Sequence, residues 1–269
     1  VNAPIRVEIH GGIQLITLEA PQRRNALTPE MLCRLADAVM GFEADARLRV
    51  AVITGAGEQA FCAGGDLGRT LPLMTGDRAA EDEWDRRLLD DPRVLAASGL
   101  RDHPISKPIV AAINGSCMAA GFELMLGTDI RVAADHAQFA LPEVQRAVLP
   151  FAGSMARLPR QIPHAIAMQL LLTGEPIGAA EAWRIGLINE VVGRGEALPR
   201  AMAIARRIER NGPLAVQAVK RTTVAASGLP LSSAYELESA AKREVLATDD
   251  AREGPRAFIE KREPRYEGR

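Results

Sequence analysis

RVAVIT, residues 49–54, followed by GAGEQAFCAGGDL, residues 55–67, is the stretch on which the fold turns. Its first six residues are nearly all apolar and stop at a glycine, the pattern of a strand covered on both faces as in a parallel sheet. The pattern returns as PIVAAI at 108–113, followed by NGSCMAAGFEL at 114–124. Each time a buried strand runs into a loop of small residues. Past Gly115 the sequence predicts a helix near Ala119–Leu126, a strand near Ile130–Ala134 and a short extended piece around Gln138–Leu141. Strand and helix alternate, which is the α/β class.

Upstream, Ile5–His10 and Ile13–Leu18 are extended, β-branched segments on either side of Gly11-Gly12. Two glycines supply the positive φ of a tight turn, so a hairpin is expected. Thr28-Pro29 reads as an N-cap with proline at the first helical position. Met31, Leu32, Leu35, Ala36, Val39 and Met40 follow at helical spacing, predicting a helix to about Asp45. Downstream of about Gly195 the texture changes. Ala197–Arg210, Pro213–Ser227, Leu231–Thr248 and Ala251–Lys261 are Ala-, Glu- and Arg-rich helical stretches with no strand candidate between them, so a soft boundary is expected at 195–200. Residues 70–93 are charged, poorly patterned and rich in turn formers, and are expected to be a mobile insert.

The chain has 269 residues, 47% of them hydrophobic, enough for one large core without covalent staples. Its 33 Lys and Arg against 34 Asp and Glu leave a net charge of −1, so no basic excess points to nucleic acid. Cys33, Cys62 and Cys117 are widely spaced and form no C-x-x-C pair, which fits a reducing cytoplasm. The start VNAPIRVEIHGG lacks the charged and apolar regions of a secretion signal, and no window reaches 18 uninterrupted apolar residues, so neither export nor membrane insertion is expected. Asn114-Gly115-Ser116 matches a glycosylation sequon that would then stay unmodified.

Some signals mislead. Gly55-Ala-Gly57-Glu-Gln-Ala60 follows a strand and matches G-x-G-x-x-A, but a dinucleotide site needs a helix to begin there and an acidic residue about 20 positions on. Another loop follows instead, so no nicotinamide or flavin is expected. No nucleophile elbow, H-E-x-x-H helix or P-loop is present, and His10, His103, His136 and His164 stand singly, so no metal site is expected.

The chemistry is sought where the two small-residue loops meet candidate helices. Backbone N–H groups there are unshielded near helix N-termini, and two of them converging on one oxygen would form an oxyanion hole. The alternative is a pair of plain tight turns. Two carboxylates bear on the choice. Glu123 sits in AAGFELML and Glu143 in QFALPEV, each a lone acid in apolar sequence. An acid so placed is costly unless paired or used. Two carboxyls in one dry pocket do not both ionise cheaply, so one becomes a base and the other stays protonated. A cap or a surface salt bridge is the alternative for each.

At these residues the chain resembles the enoyl-CoA hydratase/isomerase (crotonase) superfamily. The resemblance rests on Phe61-Cys-Ala-Gly-Gly-Asp-Leu67, Asn114-Gly…Gly121-Phe-Glu-Leu124, Gln138-Phe-Ala-Leu-Pro-Glu143, Leu172-Thr-Gly-Glu-Pro-Ile-Gly-Ala-Ala-Glu-Ala182, Gly186-Leu-Ile-Asn-Glu-Val-Val192 and Pro21…Asn25-Ala-Leu27. It implies a crotonase-like spiral of ββα turns over 1–197 and a helical oligomerisation region over 198–269, assembling as a homotrimer or a dimer of trimers. It places the oxyanion-hole N–H groups on Gly65 and Ala120 and matches Glu123 and Glu143 to the two acids that hydratases use together. Ala63, Gly65, Asp66, Leu67, Gly68 and Ala120 fall in segments that contact the coenzyme A thioester, and Arg24 lies beside its phosphates. No cofactor is implied, because the substrate carries coenzyme A itself.

The sequence departs from the family pattern twice. Ala119-Ala120-Gly121 stands where glycines are usual, and an alanine N–H serves at 120 only if the backbone there avoids positive φ. Pro150-Phe151-Ala152-Gly153-Ser154 replaces the glycine cluster after the second acid, which reshapes the acyl pocket. Trp84, Met118, Phe122, Leu149 and Phe151 are the candidates to line that pocket. The reading is a hydratase adding water across the 2,3 double bond of a 2-enoyl-CoA. The alternatives are a Δ3-Δ2-enoyl-CoA isomerase and a catalytically weak acyl-CoA-binding or scaffold protein.

Overall fold

A computed structural model of the protein describes residues 3–102 and 105–269; His103, one of the four single histidines, lies outside them. Strands β1 (Ile5–His10) and β2 (Ile13–Leu18) form the expected antiparallel hairpin, with Ile5 opposite Leu18. Of its two turn glycines only Gly11 has positive φ, at 67°. Gly12 serves differently: its N–H donates to Glu209 Oε1, far along the chain.

Helix α1 (Pro29–Ala44) begins where Thr28 Oγ accepts the Met31 N–H, and it buries Leu35, Ala36, Val39 and Phe42. Strands β3 (Val50–Gly55) and β4 (Ala60–Cys62) follow. A strand after Gly55, where a dinucleotide site needs a helix, explains why the glycine fingerprint misleads. The segment expected as a poorly patterned insert folds instead into α2 (Thr70–Thr75), α3 (Glu83–Asp90) and α4 (Pro92–Ser98). Asp82 and Asp91 cap α3 and α4 through the Asp85 and Arg93 N–H groups. Capping, rather than periodicity, defines such short helices.

Next come β5 (Ile109–Ile113), β6 (Ser116–Met118), α5 (Ala120–Leu126), β7 (Ile130–Ala134) and β8 (Gln138–Ala140). A 3-10 turn over Pro142–Arg146 leads to α6 (Ser154–Gln161), α7 (His164–Thr173), β9 (Ile177–Gly178), α8 (Ala179–Arg184) and β10 (Glu190–Val192). The chain closes with α9 (Ala197–Glu209), α10 (Pro213–Ala226), α11 (Leu231–Leu246) and α12 (Asp250–Ile259).

Among the described residues the strands form two sheets, a six-stranded one ordered β1-β2-β3-β5-β7-β10 and a four-stranded one ordered β4-β6-β8-β9. Pairs β2–β3, β3–β5 and β5–β7 are parallel, and every residue of β3 and β5 is buried. The reason is packing on both faces. One face meets a core that includes Leu35, Phe42, Phe61 and Phe122. The other is covered by Ala197, Ala201 and Ala205 of α9, packed on Ile13, Leu15, Val50, Val52 and Val110. Alanines four residues apart give α9 a smooth stripe that approaches the sheet closely. So α9, which the sequence places beyond the boundary at 197, lies on the sheet and ends at the hairpin turn through Glu209. No helix of the described residues is long and apolar enough to cross a membrane.

Candidate active site

The two loops singled out by the sequence are held together by asparagines. Asn25, fully buried, donates to the carbonyls of Ala56 and Ala60 and accepts the Ala20 N–H. Asn114 donates to Gly57 and Ala60 and accepts the Gly55 N–H. Each amide side chain replaces backbone pairing that the loop lacks, so the turn between β3 and β4 is fixed from both sides.

That bracing presents residues 63–66. The Leu27 N–H donates to Gly64 O at 2.8 Å and the Asp66 N–H to Leu27 O at 2.9 Å, so Leu27 and Gly65 pair as an isolated parallel bridge. The Gly65 N–H donates to no group among the described residues. Opposite, Ala120 is the first residue of α5, where an N–H has no helical acceptor. A Cβ built on Gly64 would lie 2.7 Å from Ala119 Cβ and 3.6 Å from Ala120 N, so the two loops touch there. Gly121 is equally constrained, since a Cβ on it would come within 2.6 Å of Cys62.

The positive φ in this stretch falls on Ala119 (φ 51°, ψ −126°), not on Ala120. Ala120 therefore keeps ordinary helical geometry, and the strain sits one residue earlier. An alanine in that region costs about 1–3 kcal/mol, part of which glycine would return to the unfolded chain as entropy. Ala119→Gly is expected to stabilise the protein by about 1 kcal/mol, read as a higher denaturant midpoint with an unchanged slope.

Glu123 and Glu143 line the same cavity as Gly65 and Ala120, a space of about 320 Å³. Their surroundings differ. Glu123, in the first turn of α5, is buried, and its Oε1 accepts the Ser154 N–H at 3.1 Å and the Ser154 Oγ–H at 2.9 Å. Burial raises its pKa above the usual carboxylate range, opposed by these donors, by the Ala152 amide and by the Arg157 charge. Among the described residues Glu143 accepts from no side chain and from no other residue's amide, and its buried Oε2 has no hydrogen-bond partner. Burial raises its pKa to about 7 against its own backbone amide and Arg146, with a further push from the Glu123 charge. Burial pushes both carboxyls up, and the donors on Glu123 favour its anion more than the surroundings of Glu143 favour that of Glu143.

The remaining sequence candidates divide. Ala63 and Leu67 line the cavity; Gly68 lies outside it, with its N–H on Asp66 Oδ1. Asp66 also accepts the Arg69 N–H, so its carboxylate shapes the loop. Arg24 is exposed, and its carbonyl accepts the Ala63 N–H. Leu149 and Phe151 line the cavity, while Trp84, Met118 and Phe122 are not among its lining residues. Phe122 instead turns into the core, edge-to-face with Phe139 at 6.3 Å. Trp84 packs on the core under the Arg34 guanidinium, 4.8 Å from the ring centroid, and Met118 is held in β6 opposite Ala140. Leu71, Met74, Leu95 and Arg101 line the cavity although no motif marks them. They come from α2, α4 and the segment after it; α4 carried a cap signal in Asp91-Pro92, while α2 has no side-chain cap.

The family model for enoyl-CoA hydratase/isomerase matches residues 8–269. The enoyl-CoA hydratase EchA19 of Mycobacterium tuberculosis is 39% identical over 98% of this chain and 96% of its own. Carnitinyl-CoA dehydratase of Proteus mirabilis is 38% identical over the full length of both. A crystal structure of an enoyl-CoA hydratase from Mycobacterium tuberculosis H37Rv superimposes with a TM-score of 0.88 at 35% identity, each chain fully covered. Sequence and fold agree, and the chain belongs to the enoyl-CoA hydratase/isomerase family.

Proposed function

We propose that the protein hydrates 2-enoyl-CoA thioesters, and in reverse dehydrates 3-hydroxyacyl-CoA. The observation that carries this reading is an unequal pair of carboxyls, Glu123 buried and Glu143 half-buried, beside two amide N–H groups that have no partner among the described residues, all in one cavity. The thioester oxygen accepts from Gly65 and Ala120, which stabilise the enolate-like charge that develops as C3 is attacked. Glu123, held as an anion by Ser154, takes a proton from water while the water oxygen bonds to C3. Glu143, protonated, delivers its proton to C2. Two carboxyls with opposite protonation favour addition of water over a double-bond shift, for which one proton carrier is sufficient.

Coenzyme A arrives as part of the substrate, with Arg24, Ala63, Asp66, Leu67 and Gly68 at its approach; amides and carboxyls carry the chemistry. The acyl end of the cavity is lined by Leu71, Met74, Leu95, Leu149 and Phe151, and Arg101 there is paired with Asp102 at 2.9 Å. This lining supports an apolar acyl group. The test is a screen of enoyl-CoA esters graded in length and branching, following loss of the conjugated thioester and appearance of 3-hydroxyacyl-CoA. Isomerisation of a 3-enoyl-CoA without hydration, or binding without turnover, would reject the reading.

The pH dependence follows from the same pair. Activity is expected to fall as pH rises through about 7, where Glu143 loses the proton it must donate, and to fall again in acid as Glu123 gains one. A bell-shaped kcat/KM profile checks this.

The chain is proposed to self-associate as a homotrimer or a dimer of trimers through its C-terminal helices. Phe258 and Ile259 are 86% and 78% exposed at the end of α12, and Val219, Val224 and Tyr235 are uncovered on α10 and α11. Apolar side chains so placed call for a partner surface. Light scattering is expected to give three or six chain masses; a monomer would contradict it.

A further inference from the structure

We propose that Ser154 is a positioning residue for Glu123, fixing which carboxylate oxygen meets the attacking water. This rests on the hydratase reading. Ser154 is fully buried at the start of α6, set there by Gly153 at φ 116°. Its N–H and Oγ–H both end on Oε1 of Glu123. With Oε1 engaged by both Ser154 donors, Oε2 is the oxygen they leave to take the proton, beside the Ala152 amide that also acts on this carboxyl. The backbone N–H alone would leave the carboxylate with one Ser154 donor; the hydroxyl adds a second, which removes one rotational choice from the base and stabilises its anion.

The charged groups sharing the cavity with Glu123 are Glu143 and Arg146 from the 3-10 turn and Arg101 with Asp102 after α4, and the Arg157 charge from α6 acts on it as well. Changing Ser154 leaves all five in place. Ser154→Ala removes one charge-assisted hydrogen bond while keeping the helix start. The acid limb of kcat/KM is then expected to move up by about one pH unit. Turnover at the plateau is expected to fall about tenfold, with the Kd for a saturated acyl-CoA within twofold of wild type. Ser154→Thr, which retains a hydroxyl, should restore the limb. A merely structural serine would lower thermal stability without moving the limb, and an unmoved limb in Ser154→Ala overturns the proposal. Isotope-edited infrared titration of the carboxyls, assigned with Glu123→Gln, reads the same proton without turnover and does not depend on the threonine variant folding. An upward shift in Ser154→Ala supports the proposal and no shift rejects it. If the wild type hydrates no enoyl-CoA, the functional reading fails, and this titration still decides whether Ser154 governs Glu123.

Discussion

Glu123→Gln and Glu143→Gln are each expected to lower hydration of a 2-enoyl-CoA by about 10²–10⁴-fold, the usual contribution of one positioned proton carrier. Affinity for a saturated acyl-CoA should stay within a few fold, because neither carboxyl is needed to hold the thioester. The two variants should differ in stability. Glu143 has a folded pKa near 7, above its unfolded value of 4.5, so its favourable protonated state is fully present below the unfolded value and is lost as pH rises through about 7. Glutamine does not ionise. Glu143→Gln should therefore become the more stable protein above neutrality, and unfolding midpoints at pH 5 and pH 8 measure the difference. Near-wild-type turnover in either variant would refute the roles assigned here.

Gly64→Ala is the second large effect. A methyl at this position would sit 2.7 Å from Ala119 Cβ, and φ is +104°, a region alanine rarely adopts. Relief requires the loop after β4 to move away from the start of α5, which separates the N–H groups of Gly65 and Ala120. Loss of one oxyanion-hole donor typically costs about 10²–10³ in kcat. A similar fall is expected in Gly64→Ala, with some loss of stability from backbone strain. Circular dichroism and a single cooperative melt would show that the fold persists. Unimpaired kcat would mean that the contact between these loops is irrelevant to catalysis.

Much of the fold was legible because strands β3 and β5 are buried on both faces and so read as uninterrupted apolar runs. The hairpin and α1 were legible from turn and cap chemistry, which acts within a few residues. Helices α2 to α4 were not, because each is too short to show a period, although Asp82 and Asp91-Pro92 carried cap signals. The lining of the cavity was the least legible part. Trp84 and Phe122 are large apolar residues near the motifs, but apolarity does not say whether a side chain faces a cavity or the core. Phe122 faces Phe139, and Trp84 lies beneath Arg34.

The sequence by itself determined the family and the α/β class, and it marked Glu123 and Glu143 as lone acids, because these rest on local spacing and on the expense of placing a carboxylate in apolar surroundings. Only the tertiary structure decided how those acids differ. Ser154 reaches Glu123 across 31 residues of chain, while Glu143 has one oxygen without a partner among the described residues. Protonation depends on which donors converge on a group in space, and that convergence is a property of packing that no local stretch of sequence contains.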